Sequence, residues 1–333
     1  MPMLFLTKLS LSICLVCTQA IFATELSPWS EGGHHLIAEL AFTLLTEDEQ
    51  QQLIAILAEH PRFAEDFKAP DALTDPKEIH SWMLGRSGYW PDVARKQPLY
   101  DRPTWHYELG SSLVLGDEAK TAVPQRPAPL PDAASLETQE LHISQAVELC
   151  RKVLKAKQRP AADRALAICW LGHLVADAHQ PCHAGSLYTD SLFTETDGDR
   201  GANRIFTRQK RNLHAAWDQA LGEKFTVGGL RRRMREAQSS DALKKLGEAA
   251  IAKPDALSVQ TWLEESRDLA IKHVYTAEVL DWVKAQADLD TAKQQPLELS
   301  VEYLRNMGEV SQQRAVEAAY RLAEVWRECL KQN

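Results

Sequence analysis

The sequence predicts an all-α fold, and two observations support that prediction. Glycine is sparse, with 15 residues in a chain of 333, and residues that favour helices are abundant. Apolar side chains recur every three or four residues along much of the chain, which is the spacing of an amphipathic helix. No linker or internal repeat divides the sequence, so we expect one domain over residues 29–333.

The periodic segments place the helices in order along the chain. They are His34–Leu45, Glu47–Ala58, Ser135–Lys155, Ala161–His179, Arg208–Leu221, Leu230–Ala237, Ser258–Lys284 and Leu297–Lys331. Other segments lack the helical period and are expected to be irregular: Ala69–Ser111, the proline-rich Thr121–Ala133 and Ala184–Arg204. Irregular segments of this length usually carry function or are disordered.

The first residues have the pattern of a secretory signal peptide. Lys8 precedes an apolar run from Leu9 to Val16, and signal peptidase could accept the small residues Ala20 and Ala23. We therefore expect residues 1–23 to be a signal peptide and the protein to be secreted or periplasmic. No later segment reaches the roughly 20 apolar residues that a membrane crossing needs, so stable membrane insertion is not expected.

Cysteines outside the predicted leader suggest disulfide bonds. Cys150, Cys169, Cys182 and Cys329 are the four such residues. In an oxidising compartment these residues would pair, and the sequence leaves all three possible pairings open.

Two His-x-x-x-Asp pairs indicate a metal site. His173 and Asp177 form the first pair, in WLGHLVADAHQPCH, and His214 and Asp218 form the second, in NLHAAWD. Residues four apart share one face of a helix, so each pair can reach one ion. One pair alone is more often a surface ion pair, but two pairs and a third histidine, His183, beyond a Gln-Pro helix break favour metal. Imidazole and carboxylate without thiolate suit catalytic zinc.

Three upstream segments add candidate ligands. Asp92 lies in YWPDVAR, His106 lies in PTWHYE, and His34 follows Trp29 by five residues in WSEGGHHLIAELA. Taken singly, Asp92 is more often a turn residue, and His106 a partly buried neighbour of aromatic side chains. His34 alone would be an ordinary residue of a first helical turn. Together with the two pairs, all three become candidate metal ligands.

The order of these motifs resembles a known family. The motifs are W-x-x-x-G-H, W-x-D-x-x-R, W-H-Y, H-x-x-x-D-x-H-Q-P-x-H, G-D-R-G-x-N-x-I and N-L-H-x-x-W-D, from Trp29 to Asp218. This set resembles the zinc-dependent single-strand nuclease and 3′-nucleotidase family, which includes fungal secreted and plant bifunctional nucleases. The resemblance implies the all-α fold of the phospholipase C and single-strand nuclease type, with three zinc ions in a cleft.

The metal ligands that the resemblance implies fall into three sets. The first ion would take Asp92, His106, His173 and Asp177. The second would take His34, the shared Asp177, and the amino nitrogen and carbonyl oxygen of Trp29. The third would take His183, His214 and Asp218. Trp29 would then have to be the mature N-terminal residue, which requires trimming beyond the signal peptide.

The resemblance also implies residues that contact the substrate. Arg95 would bond the phosphate as its oxygens gain charge, and it is an expected catalytic residue together with Asp92 and Asp177. Tyr107 would stack on a base, and Asn203 would bond a base edge. Leu109 stands where fungal members have an acidic residue that reads the base, and His179 is expected to support the ligands rather than bind metal.

These features predict a zinc-dependent endonuclease and 3′-nucleotidase. It would hydrolyse single-stranded DNA, RNA and 3′-nucleotides as a monomer and leave 5′-phosphorylated products. The chain has a net charge of −8, but three divalent ions would make the cleft positive and attract a phosphodiester. One alternative is a zinc-dependent phospholipase C of the same architecture. The other is a non-catalytic periplasmic zinc-binding protein, which is less favoured because the chain has no histidine-rich tract.

Overall fold

Helices form most of the chain, which confirms the all-α prediction. The computed structural model describes residues 29–331 except 122, 195, 223–225, 288 and 290–292. The predicted signal peptide, residues 1–23, lies outside the described residues. The α-helices are α1 (Glu31–Thr43), α2 (Glu47–Leu57), α3 (Phe63–Asp66), α4 (Pro76–Ala94), α5 (Ile143–Lys155), α6 (Ala161–Ala178), α7 (Pro181–Ala184), α8 (Leu213–Asp218), α9 (Val227–Ser239), α10 (Asp241–Ile251), α11 (Val259–Leu269), α12 (Ala277–Gln286) and α13 (Val301–Leu330).

Helix α6 lies at the centre of the molecule. It contacts α1, α2, α4, α5 and α13. Every residue from Ala167 to Ala178 is buried, so this part of α6 has no solvent-facing side. Its polar side chains therefore depend on other protein groups or on bound ligands for their partners, because water does not reach them.

Helix α4 corrects one prediction. The segment Ala69–Ser111 was expected to be irregular, with Asp92 in a loop, but α4 covers Pro76–Ala94 and carries Asp92 in its last turn. Two glycines and an internal proline lower the helix propensity of this sequence. The glycines are needed for packing: a Cβ atom on Gly85 would lie 2.2 Å from the ring of His35, and one on Gly88 would lie 2.7 Å from Ala38 Cβ. The close approach of α1 and α4 therefore explains both the glycines and the weak helical pattern.

The structure differs from the predicted elements at three further places. The segment Ala184–Arg204 was expected to be irregular, but it contains strand β2 (Gly185–Thr189), which pairs in parallel with β1 (Gly110–Leu115). The predicted helix Ser258–Lys284 is interrupted by a π-helical turn at Ala270–Val274. Helix α10 was not predicted. Parallel pairing joins segments that are distant in sequence, so a local pattern could not reveal this sheet.

The predicted disulfide bonds do not occur among the described residues. Cys150, Cys169, Cys182 and Cys329 are all free thiols, and all four are buried. Burial raises the pKa of the Cys329 thiol to about 11, so these groups act as small apolar side chains rather than as nucleophiles. Over the same described residues, no helix is long and apolar enough to cross a membrane.

Candidate metal centre and substrate cleft

The predicted metal ligands come from distant segments and meet at one end of α6. Helix α6 supplies His173 and Asp177, and α7 and α8 supply the ligands that follow them in sequence. Helix α1 supplies His34, the last turn of α4 supplies Asp92, and a 3-10 turn at Pro103–His106 supplies His106.

Asp177 is the centre of the first cluster. Its Oδ1 atom lies 3.3 Å from His34 Nε2. Its Oδ2 atom lies 3.2 Å from both His106 Nδ1 and His173 Nε2. Asp92 joins the same cluster, with its Oδ1 atom 4.0 Å from His173 Nε2. The Asp177 carboxylate therefore has histidine nitrogens beside both of its oxygen atoms. His34, His173 and Asp177 are fully buried.

A second cluster consists of His183, His214 and Asp218. Asp218 lies 3.5 Å from His183 Nε2 through Oδ1 and 3.3 Å from His214 Nε2 through Oδ2. Gln180 fixes the carboxylate, because its Nε2 group donates to Asp218 Oδ1 at 2.7 Å. The break at Pro181 places His183 near both clusters: its Nδ1 atom lies 3.8 Å from Asp177 Oδ1.

The orientation of three histidines fits metal binding. His173 Nδ1 donates to the Gly88 carbonyl at 2.8 Å, His183 Nδ1 to that of His106 at 2.7 Å, and His214 Nδ1 to that of Gly201 at 2.6 Å. Each contact fixes the tautomer with its proton on Nδ1, so the lone pair of Nε2 faces the clustered carboxylates. Protein metal ligands are commonly oriented in this way.

Buried polar atoms that make no hydrogen bond give an independent test of whether a cation fits. Within the described part of the chain they include both ring nitrogens of His34, His106 Nε2, Asp177 Oδ1, Asp92 Oδ2, His183 Nε2 and His214 Nε2. Native proteins leave few buried polar atoms unsatisfied, and so many at one place call for an explanation. The residues also form three-member groups whose potential ligand atoms lie within 4.8 Å of one another. This donor set fits metal cations.

Burial shifts the pKa of these groups toward their neutral forms. It lowers the pKa of His173 to about 4 and raises the pKa of Asp177 to about 8. It also raises the pKa of Asp92 and of Asp218 to about 6. Neutral imidazole is the form that binds metal, and bound cations would offset the cost of keeping the carboxylates ionised.

Arg95 follows the candidate ligand Asp92 by three residues and contacts it directly. Its Nε group donates to Asp92 Oδ1 at 2.8 Å, and its side chain is 14 % exposed. The Nη2 atom is buried and has no partner within the described chain. Arg95 therefore has an unsatisfied cationic donor beside the cluster, as the prediction of a phosphate contact requires.

A cavity of about 110 Å³ adjoins both clusters. Its lining residues are Arg95, Pro103, His106, Tyr107, Leu109, Cys182, His183, Asp197, Arg200, Asn203 and His214. The three predicted substrate residues, Arg95, Tyr107 and Asn203, thus share one cavity with metal-ligand candidates.

Asn203 is held by its own loop. Its Nδ2 group donates to the Arg200 carbonyl at 2.8 Å, and its Oδ1 atom accepts from Asn212 Nδ2 at 3.1 Å. The same loop has left-handed backbone at Arg200 (φ 58°), Gly201 (φ 60°) and Ala202 (φ 66°). Because residues other than glycine rarely adopt this backbone conformation, the loop has a specific shape beside the cavity.

Trp29 lies against α6 through its side chain. The indole Nε1 group donates to the carbonyl of Ala176, the residue before Asp177, at 3.0 Å, and the indole is fully buried. The next residue, Ser30, donates its backbone N–H to the Asp218 carbonyl at 2.9 Å. The predicted role of the Trp29 amino group depends on processing of residues 1–28, which lie outside the described residues.

His179 belongs to a different network, which the sequence pattern did not reveal. Its Nδ1 group donates to the Val175 carbonyl at 2.7 Å, so its Nε2 atom is an acceptor, and Arg321 Nη1 donates to that atom at 2.8 Å. Arg321 also binds both oxygens of Glu265 at 2.6 and 2.9 Å. Arg314 donates to Glu265 Oε2 at 3.0 Å and to the His179 carbonyl at 3.2 Å. These contacts tie the end of α6 to α11 and α13 and engage both ring nitrogens of His179.

Comparison with known proteins gives one family match. The model of a family described as S1/P1 nuclease matches residues 29–331. A search of curated proteins gives no significant match. The family match covers nearly the whole chain, including every residue of both clusters and of the cavity. The chain belongs to the S1/P1 nuclease family.

Proposed function

We propose that this nuclease is a zinc-dependent phosphodiesterase that hydrolyses single-stranded DNA, RNA and 3′-nucleotides to 5′-phosphorylated products. The observation that supports this most strongly is the shared position of Asp177 between histidines on both of its oxygens, beside a cavity that contains Arg95 and Tyr107. Candidate metal ligands, a cationic side chain and an aromatic side chain thus lie close together.

Zinc is the metal that suits these ligands. The candidates are imidazoles and carboxylates without thiolates, as in catalytic zinc sites. Three ions would be held as the family resemblance implies, by Asp92, His106, His173 and Asp177; by His34, Asp177 and Trp29; and by His183, His214 and Asp218. When bound, zinc would supply positive charge for the phosphate and lower the pKa of water enough to provide the nucleophile near neutral pH.

The chain's own side chains would orient the substrate. Arg95 is held by Asp92 through Nε, and its buried Nη2 group would donate to a phosphate oxygen more strongly as that oxygen gains charge. Tyr107 would stack on the base next to the scissile bond. Stacking accepts any base but requires that the base has left a duplex, so the arrangement favours single strands.

We also propose that the protein is secreted or periplasmic and that processing exposes the amino group of Trp29. The leader-like residues 1–23 and the start of the family match at Trp29 support this. Amino-terminal sequencing of the active protein tests the proposal, and a first residue at Trp29 is expected. A fully active protein that begins stably at Ile21 or Thr24 would contradict the role of the Trp29 amine.

A substrate panel tests the proposed reaction. Zinc-loaded protein is assayed on single-stranded DNA, double-stranded DNA, RNA, 3′-AMP and phosphatidylcholine. The variant is Arg95→Ala. Its control is Arg208→Ala, because Arg208 is exposed and pairs with Glu298. We expect rapid hydrolysis of the single strands and of 3′-AMP, and a large loss only in Arg95→Ala. Hydrolysis of phosphatidylcholine alone would indicate the phospholipase C alternative. Tight zinc binding without any hydrolysis would indicate a non-catalytic zinc-binding protein.

A further inference from the structure

We propose that Arg200, held in place by Asp197, recognises guanine and makes guanosine 3′-nucleotides the preferred substrates. This inference rests on the proposed function and specifies its base preference. It concerns the wall of the cavity formed by the loop around Gly201, where the backbone is left-handed.

Arg200 and Asp197 lie in the same cavity as Tyr107, His183 and His214. Both side chains are accessible, with 48 % of Arg200 and 40 % of Asp197 exposed. A base stacked on Tyr107 within this cavity would therefore have Arg200 and Asp197 among its neighbours.

The other side chains at this part of the cavity offer fewer free polar groups to a base. Leu109 has no polar atom, and it lies against the loop, since a Cβ atom on Gly201 would be 3.1 Å from Leu109 Cδ2. Asn203 donates one amide hydrogen to the Arg200 carbonyl and accepts from Asn212, so its amide is oriented and keeps one donor and one lone pair for a base. Cys182 is a buried thiol. The polar contacts to a base edge would then come chiefly from Arg200 and Asp197.

Asp197 forms an ion pair with Arg200 at the cavity wall. The Arg200 Nε group contacts Asp197 Oδ2 at 3.0 Å. Arg204 holds the other carboxylate oxygen, with its Nη2 group 3.2 Å from Asp197 Oδ1. The terminal amino groups of Arg200 have no other side-chain or backbone partner among the described residues. An arginine that is paired through Nε can still present its two terminal amino groups to a ligand as a planar fork.

Guanine is the base that matches two adjacent donors. Its O6 and N7 atoms are neighbouring acceptors, and a bidentate arginine contact to them is the commonest specific protein contact to a base. Adenine presents an acceptor and a donor on the same edge, so one of the two arginine donors would face another donor. Uracil has no adjacent pair of acceptors, because N3–H lies between O2 and O4. The adjacent pair of cytosine, N3 and O2, lies on its Watson–Crick edge, so the rate on cytidine 3′-monophosphate distinguishes the two contacts.

The left-handed backbone of Arg200 also fits a role in binding. Its φ of 58° is unfavourable for a residue with a side chain. Gly198 and Gly201, which lie close to it in the same loop, also have positive φ angles. Strained residues of this kind cluster at ligand sites, where the surroundings hold them. Here, the backbone N–H of Arg200 donates to the Asp197 carbonyl at 2.9 Å, so the same two residues are joined by backbone and side chain.

Hydrolysis of guanosine, adenosine, cytidine and uridine 3′-monophosphates tests the inference. Wild-type protein should favour 3′-GMP about tenfold in kcat/KM, which corresponds to the low end of the discrimination that a bidentate contact provides. The 7-deaza analogue of 3′-GMP lacks the N7 acceptor and should lose this advantage. Arg200→Ala and Arg200→Lys should each bring the ratio of kcat/KM for 3′-GMP to that for 3′-AMP from about ten to about one. Asp197→Asn should lose part of the preference, and Arg208→Ala, outside the cavity, should retain it.

Equilibrium binding separates a failure of this inference from a failure of the proposed function. Metal-loaded protein is titrated with guanosine and adenosine 5′-monophosphates, which need no turnover. Tighter binding of the guanosine nucleotide that is lost in Arg200→Lys supports base recognition even if no 3′-nucleotide is hydrolysed, a result that would overturn only the proposed reaction. Equal binding of the two nucleotides, or an equal loss for all bases in Arg200→Ala, would overturn the guanine assignment.

Discussion

The Oδ1 atom of Asp177 lies 3.3 Å from the Nε2 atom of His34, and both side chains are fully buried. This contact joins α1 to α6. The other carboxylate oxygen of Asp177 meets two further histidines. A single buried carboxylate therefore connects ligand candidates from three segments of the chain, and it is the residue on which the proposed metal centre depends most.

Replacement of Asp177 by asparagine should abolish most activity. The amide keeps the shape but removes the negative charge that two ions would share. Loss of a residue that merely orients a ligand commonly costs 10–100-fold, so loss of this ligand should cost at least about 100-fold in kcat/KM. Metal analysis should show fewer bound ions per chain. Asp281→Asn, an exposed residue paired with Lys284, is the control, and near-normal turnover of Asp177→Asn would contradict the shared-ligand role.

Gly201→Ala should disrupt the site through the backbone. A Cβ atom there would lie 2.1 Å from the Cys182 carbonyl oxygen, at a φ of 60°. The left-handed conformation alone costs about 1–2 kcal/mol for alanine, and the clash adds to it, so we expect at least about 2 kcal/mol of destabilisation in denaturant unfolding. Activity should fall as well, because His214 Nδ1 donates to the Gly201 carbonyl.

Gly308→Ala is the matched control for that variant. Gly308 lies inside α13, and its Cβ atom would meet no atom within 4 Å. The same chemical change should therefore stabilise the protein by about 0.5–1 kcal/mol, as expected for glycine in a helix. Equal unfolding free energies for the two variants would show that the position of Gly201 has no special requirement.

Arg321→Leu should destabilise the fold strongly. Arg321 is 1 % exposed and binds His179 Nε2 as well as Glu265. Removal of one partner from a buried ion pair costs about 3–5 kcal/mol, and we expect about 3 kcal/mol because Arg314 still contacts Glu265. Arg305→Leu, an exposed position on the same helix, should change the unfolding free energy by less than about 0.5 kcal/mol. A loss below about 1 kcal/mol in Arg321→Leu would mean that this network contributes little.

The contribution of Glu265 should depend on pH. Burial alone would raise the pKa of its carboxyl, but the hydrogen bonds and charges of Arg321, Arg314 and Lys253 outweigh burial and hold the pKa well below its usual range. Since the folded-state pKa is depressed, the stabilisation is fully present above the unfolded value of about 4.3 and is lost as the pH falls below it. The difference in unfolding free energy between wild type and Glu265→Gln should thus be largest near neutral pH and shrink below about pH 4. A difference that is constant from pH 7 to 3 would refute the ionised network.

The sequence predicts only some of the elements that carry the candidate ligands. His173 and Asp177 follow from helical spacing, because both lie on one helix. Asp92 was predicted as a ligand but assigned to a loop, because Gly85, Gly88 and Pro91 conceal α4 until its packing on α1 is known. Local periodicity contains no information about such close contacts between helices.

The partners of His179 could not be predicted, because they are long-range contacts. Arg321 and Glu265 belong to α13 and α11, and in the sequence they are ordinary charges on amphipathic helices. Their partner His179 lies inside the ligand motif, yet only its contact with Arg321 shows why it differs from its neighbours. The proposed roles of Arg200 and Asp197 likewise depend on a cavity whose lining residues, Leu109 among them, are distant in the sequence.

Hydrolysis of single-stranded DNA by metal-stripped protein, before and after zinc is returned, tests the central claim most directly. Stripping is verified by elemental analysis, and far-ultraviolet circular dichroism checks that the helices persist. The account predicts no hydrolysis without metal and full recovery when zinc reaches three ions per chain. Hydrolysis at an undiminished rate by folded protein that contains no metal would contradict it.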